Sequence, residues 1–87
     1  MNKKQRQTLK AIFTLPIPSD IKWTDIESLF KALDAKVSQG KGSRVRVSLN
    51  RVKAVFHEPH PEKETNKGAV KAVKEFLENA GIEPNNY

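Results

Sequence analysis

Gly42-Ser43-Arg44-Val45-Arg46-Val47-Ser48-Leu49-Asn50-Arg51-Val52-Lys53-Ala54-Val55-Phe56-His57 is the stretch whose reading decides the fold. Val45, Val47 and Leu49 alternate with Arg44, Arg46 and Ser48, the period of a half-buried strand. A second apolar run follows the break at Asn50-Arg51, so the pattern predicts a β-hairpin. A tight primed turn prefers Asn-Gly, and an arginine in a left-handed conformation is strained. The expected loop at Asn50-Arg51 is therefore longer than two residues. By alternation His57 shares a face with Lys53 and Val55 rather than with Phe56, beside Arg44 or Arg46 on the exposed side.

The flanks read as supports for this hairpin. Ala35-Lys36-Val37-Ser38-Gln39 is expected to be a first strand, joined to the hairpin by the flexible, cationic turn Gly40-Lys41-Gly42-Ser43. Upstream, residues 3–14 form a basic amphipathic pattern with a narrow stripe of Leu9, Ile12 and Phe13, ended by Leu15-Pro16-Ile17-Pro18. The segment suits an RNA-contacting arm, a helix that docks on a partner, or a helix packed on its own domain with its cations in water. A second helix carries Ile26, Leu29, Phe30 and Leu33 on one face. Thr24 and Glu27 have capping-box spacing there, with Trp23 as the residue before the cap and a lid on the core. No residue of this helix suggests chemistry.

Downstream, the prolines of Glu58-Pro59-His60-Pro61 break the ladder. Thr65 or Asn66 is expected to cap a last helix with Ala69, Val70, Val73, Phe76, Leu77 and Ala80 on its apolar face, Gly81 at its C-terminal cap, and a frayed tail from Pro84. The order is helix, helix, three strands, helix. This is an α+β two-layer sandwich with an α-β-β-β-α core, the order of the double-stranded-RNA-binding-domain-like fold, plus an extra N-terminal helix. The whole chain, 1–87, is expected to be a single domain with its core over about 21–82 and a helical extension over 1–18.

Composition narrows the function classes. Lys and Arg number 16 against 10 Asp and Glu, a net charge of +6 with pI near 9.8, which favours polyanionic partners. The chain has no cysteine, so neither a disulfide scaffold nor a thiolate metal site. No apolar run approaches the roughly 20 residues of a membrane span, and the segment after the basic N-terminus is too short for a signal-peptide core. A cytoplasmic protein without cofactor or metal is expected.

Trp23-Thr24-Asp25-Ile26-Glu27-Ser28-Leu29, Gly42-Ser43 leading into a strand, Pro59-His60-Pro61 and Lys67-Gly68 occur here in an order and spacing that resembles the HicA toxin family, the mRNA interferases of type II HicA–HicB toxin–antitoxin systems. The resemblance covers roughly residues 21–82. It implies metal-independent cleavage of mRNA and neutralisation by a HicB-type antitoxin. It also exposes a departure. Many family members place their catalytic histidine directly after Gly-Ser, and here that position is Arg44. With a pKa above 12, an arginine is a poor general base, though a good bidentate phosphate ligand.

Metal-independent RNA cleavage needs a base for the 2′-hydroxyl, an acid for the leaving oxygen and cations for the phosphorane. His57 and His60 are the chain's histidines and therefore the catalytic candidates. Their spacing also suits a metal, but no third ligand accompanies them. Lys41, Ser43, Arg44, Arg46, Lys53, Lys67 and Gly68 are the RNA-binding candidates, Lys67-Gly68 through the positive end of a helix dipole. The competing readings are a merely wet sheet face for the arginines and lysines, a loop-shaping role for His60, and a helix start that needs a small residue for Gly68. The alternative to a nuclease is a non-catalytic RNA-binding or antitoxin-binding module of the same fold.

Overall fold

The computed structural model describes residues 1–59 and 63–87. Helix α1 (Lys3–Ile12) and helix α2 (Trp23–Ala32) precede strands β1 (Lys36–Gln39), β2 (Arg44–Leu49) and β3 (Val52–His57), and helix α3 (Lys67–Asn79) follows. The strands form one antiparallel sheet in the order β1-β2-β3. This is the expected α+β architecture, an α-β-β-β-α core with a helix in front.

One hydrophobic cluster joins these elements. Leu9 and Ile12 of α1, Ile26, Leu29 and Phe30 of α2, Val45 and Val47 of β2, Phe56 of β3, and Val70, Val73, Phe76 and Leu77 of α3 are all buried in it. Four aromatic rings form its centre. Phe30 stacks on Phe56 at 5.9 Å between centroids and meets Phe76 edge-on at 5.9 Å, while Trp23 reaches both Phe30 and Phe56. Trp23 is thus the lid its position suggests, 3 % exposed. The stripe of α1 packs against α2 and α3, so the first helix covers the same core. Its start is fixed by a reciprocal capping box between Asn2 and Gln5, which the sequence reading overlooked.

Three local expectations need correction. The tip Asn50-Arg51 is a tight two-residue turn, with Leu49 paired to Val52 and φ of 50° and 70° at the two residues. The strain is compensated by the Asn50 side chain, whose Nδ2 donates to the Ala80 carbonyl at 2.7 Å and so satisfies a terminal acceptor of α3. Helix α2 starts at Trp23 with Lys22 at the cap and no side-chain cap bond, so Thr24 and Glu27 form no capping box. A backbone ladder replaces it: Trp23 N donates to Lys63 O at 3.2 Å, and Thr65 N donates to Ile21 O at 2.7 Å. The tail is not frayed, because Pro84–Asn86 forms a 3₁₀ turn lying against α1.

Both α2 and α3 end in Schellman motifs. Ala35 N bonds Phe30 O at 3.0 Å and Ile82 N bonds Leu77 O at 2.9 Å. The left-handed residue is Gly81 after α3 but Asp34, at φ 62°, after α2. A Cβ in this region costs about 1–2 kcal/mol, less for Asp than for most residues. Asp34→Gly is therefore expected to stabilise the fold by up to about 1 kcal/mol, read as a rise in urea midpoint at unchanged m. A lowered midpoint would show that the aspartate supports the turn by its own hydrogen bonding.

Candidate functional site: the open face of the sheet

The helices cover one face of the sheet and leave the other to solvent. Strand β2 buries Val45, Val47 and Leu49 and turns Arg44, Arg46 and Ser48 outward. Strand β3 buries Phe56 and exposes Lys53, Val55 and His57. Register then brings the outward residues together. Arg44 lies opposite His57, Arg46 opposite Val55 and Ser48 opposite Lys53, while β1 adds Ser38 beside Arg46 and Lys36 beside Ser48.

The spacing of these pairs follows from the ladder. Glu58 N donates to Ser43 O at 2.8 Å, so Ser43 and Glu58 occupy a hydrogen-bonded position. Hydrogen-bonded and non-hydrogen-bonded positions alternate in an antiparallel pair. Arg44–His57, Arg46–Val55 and Ser48–Lys53 are therefore all non-hydrogen-bonded pairs, with Cα atoms about 4.5 Å apart and side chains at their closest. Arg44 and His57 are therefore close cross-strand neighbours, both exposed on the same wet surface.

The approach to this pair is kept clear by glycine. Gly40 continues the outward side of β1 next to Arg44, and a Cβ there would sit 3.2 Å from Arg44 Cβ and 3.8 Å from Arg46 Nε. Gly42, at φ 66°, turns the loop that carries exposed Lys41 and Ser43 to the same end. Lys67 and Gly68 begin α3 and are exposed, with Asn66 as N-cap accepting from Ala69 N at 2.7 Å. A Cβ on Gly68 would meet only Asn66 Oδ1, at 3.4 Å, so packing does not require a glycine there. His60 lies outside the described residues. The structure thus gathers Arg44, Arg46, Lys53 and His57 on one face, with Lys41 and Ser43 in the loop at its end.

Sequence reasoning missed two features. Lys36 belongs to the cationic face, and only the pairing of β1 with β2 puts it there. Glu27, on the helix judged empty of chemistry, has its carboxyl pushed above the usual carboxylate range, first by burial and then by repulsion from Glu58, with Lys31 opposing. Because Glu58 follows His57 in the chain, these carboxylates fall on the helix side of the sheet and not on the cationic face. A raised acid pKa means that the folded state holds the proton more tightly than the unfolded chain. Stability is then lower above the folded pKa and is regained as pH falls through it. Glu27→Gln is expected to raise Tm at pH 7, with the difference from the parent vanishing below the ordinary value of 4.5. A Tm difference that persists unchanged at low pH would refute this assignment.

Fold and site together define a small two-layer α+β domain presenting a cationic, histidine-bearing sheet face. The family model described as HicA toxin of bacterial toxin-antitoxin matches residues 23–82 of the 87, so the chain belongs to the HicA toxin family, the toxins of toxin–antitoxin pairs. No curated protein and no solved structure matched the chain.

Proposed function

We propose that this toxin is a metal-independent endoribonuclease that cleaves mRNA at the Arg44–His57 end of the open face and is held inactive by a HicB-type antitoxin in the cytoplasm. The observation that carries the reading is the cross-strand pairing of Arg44 with His57. The family's usual catalytic histidine would stand at position 44; here the histidine stands directly across the ladder from it. An imidazole serves as either acid or base in proton transfer near neutral pH.

In this mechanism Arg44 and Arg46 grip the non-bridging oxygens of the scissile phosphate. The 2′-oxygen attacks phosphorus as its proton passes to a base, and the bond to the 5′-oxygen breaks as that oxygen takes a proton from an acid. The charge on the phosphorane is met by fixed guanidinium groups, which cost no reorganisation. His57 carries one proton transfer, and His60, three residues on in sequence, is the candidate for the other. Lys41 and Ser43 hold the flanking backbone, and Lys67-Gly68 a more distant phosphate. Arg44 also supports a second reading, in which cleavage is lost and RNA or antitoxin binding is kept.

The test is incubation of purified protein with mRNA in a chelator, with and without antitoxin. Fragments ending in 2′,3′-cyclic phosphate, suppressed by the antitoxin, are expected. Uncut RNA with retained RNA or antitoxin binding would establish the second reading instead.

A further inference from the structure

We propose that the open sheet face is a track for single-stranded RNA, leading the substrate from the Arg44–His57 pair over Arg46 and Val55 to a distal cation group of Lys36, Lys53 and Arg51. The proposal rests on the nuclease reading and adds to it the form of the substrate and a second, remote part of the site.

Two contiguous surface concavities carry the inference. One, of about 510 Å³, is lined by Lys36, Arg46, Lys53 and Val55, with Ser38 and Ser48 between them. The other, of about 600 Å³, shares Lys36, Ser48 and Lys53 and continues to Arg51 at the hairpin tip. The outward strand residues include no carboxylate; Asp34, in the turn before β1, lines the second concavity with Lys36 and Arg51. Among the described residues the salt bridge is Lys4–Asp25, away from this face, so none of these cations is held in a salt bridge with a described carboxylate. From the Arg44–His57 row to the Ser48–Lys53 row is four residues of strand, about 13 Å, and Arg51 extends the line. That is the reach of a few nucleotides.

The chemistry of the strip favours one unpaired strand. The sheet is three strands wide, about 10 Å between its outer strands; Arg44 and Arg46 follow β2, and Lys36 and Lys53 flank Ser48 from the two outer strands, a strip one backbone wide. Duplex RNA is instead read by contacts spread across successive minor grooves. In-line attack by a 2′-hydroxyl also requires rotation about the backbone, which an unpaired nucleotide has and a stacked A-form helix withholds. The aromatic rings of Trp23, Phe30, Phe56 and Phe76 are all buried, so none is a stacking platform. Val55, 54 % exposed at the centre of the strip, provides an apolar spot for a sugar or base. Recognition along the track is therefore mainly through phosphates, tolerant of sequence and sensitive to salt.

The test uses the full chain and an uncleavable 2′-O-methyl oligonucleotide of about 12 residues, single-stranded and as a duplex, followed by fluorescence anisotropy over a salt series. Lys36→Gln combined with Arg51→Gln changes two exposed side chains. It is expected to weaken single-strand binding roughly tenfold and to lower the log–log salt slope by about 1.4, at about 0.7 per lost phosphate contact. The duplex is expected to compete poorly. An unchanged affinity and slope, or tighter binding of the duplex, would overturn the track while leaving mRNA cleavage by the parent protein intact. If the parent cuts no RNA and binds poly-glutamate as tightly as the oligonucleotide, the face serves an acidic protein, and both the track and the nuclease reading fall.

Discussion

His57→Ala is expected to reduce mRNA cleavage by a factor of about 10²–10⁴, the usual contribution of a positioned acid or base, and to abolish growth arrest on induced expression. His57 is exposed at the end of β3 and carries no core packing, so the variant should keep its Tm. Loss of activity at unchanged stability therefore separates chemistry from folding. Arg44→Ala should act differently, weakening substrate binding and phosphorane stabilisation together. A sharper arm is the double variant Arg44→His, His57→Ala, which moves the imidazole across the ladder to the family's usual position. Partial recovery of cleavage is expected, because the two sites are neighbours at a non-hydrogen-bonded position. If His57→Ala alone still arrests growth with fragmented mRNA, the assignment of His57 is wrong.

The second large effect is on stability. Phe30 is wholly buried and touches Trp23, Phe56 and Phe76. Phe30→Ala removes a ring from the centre of the core and leaves a cavity that facing helix and strand close only in part. The expected cost is about 3–5 kcal/mol, a large share of the roughly 5–15 kcal/mol that holds a domain folded. At about 4–8 °C per kcal/mol for a chain of this size, Tm should fall by at least roughly 12 °C. Phe30→Leu should cost much less. A fall in Tm of only a few degrees for the alanine variant would mean that α2 collapses onto the sheet and refills the space. The effect also bears on the site, since Phe30 stacks on Phe56, and burial of Phe56 is what turns the next residue, His57, to the open side.

The same residues explain how much was legible without coordinates. Strand alternation fixed the outward set Arg44, Arg46, Lys53 and His57, because a period of two leaves no other choice once Val45, Val47 and Phe56 are buried. Helix faces were legible for the same reason at a period near four. Local closures were less so. Turn preference alone argues against a tight turn at Asn50-Arg51, yet a hydrogen bond from Asn50 to Ala80, thirty residues on, holds it. Capping spacing alone places a side-chain cap at the start of α2, yet that start is held by residues 63–65 across the chain. In both cases the decisive partner is distant in sequence, where a local pattern carries no signal.

The sequence by itself determined that this chain is a basic α+β domain with a hairpin whose wet side carries arginines, a lysine and a histidine. Side-chain parity and charge are local properties, and local reading suffices for them. The tertiary structure decided which strand lies beside which, and with what register. That placed Arg44 opposite His57, added Lys36 from the first strand and Arg51 from the tip to the same surface, and turned Glu27 toward Glu58 on the covered side. Register is a relation between segments far apart in the chain, enforced by burial of one face of the sheet against the helices. A row of cations in one strand therefore becomes a site only when the sheet is assembled.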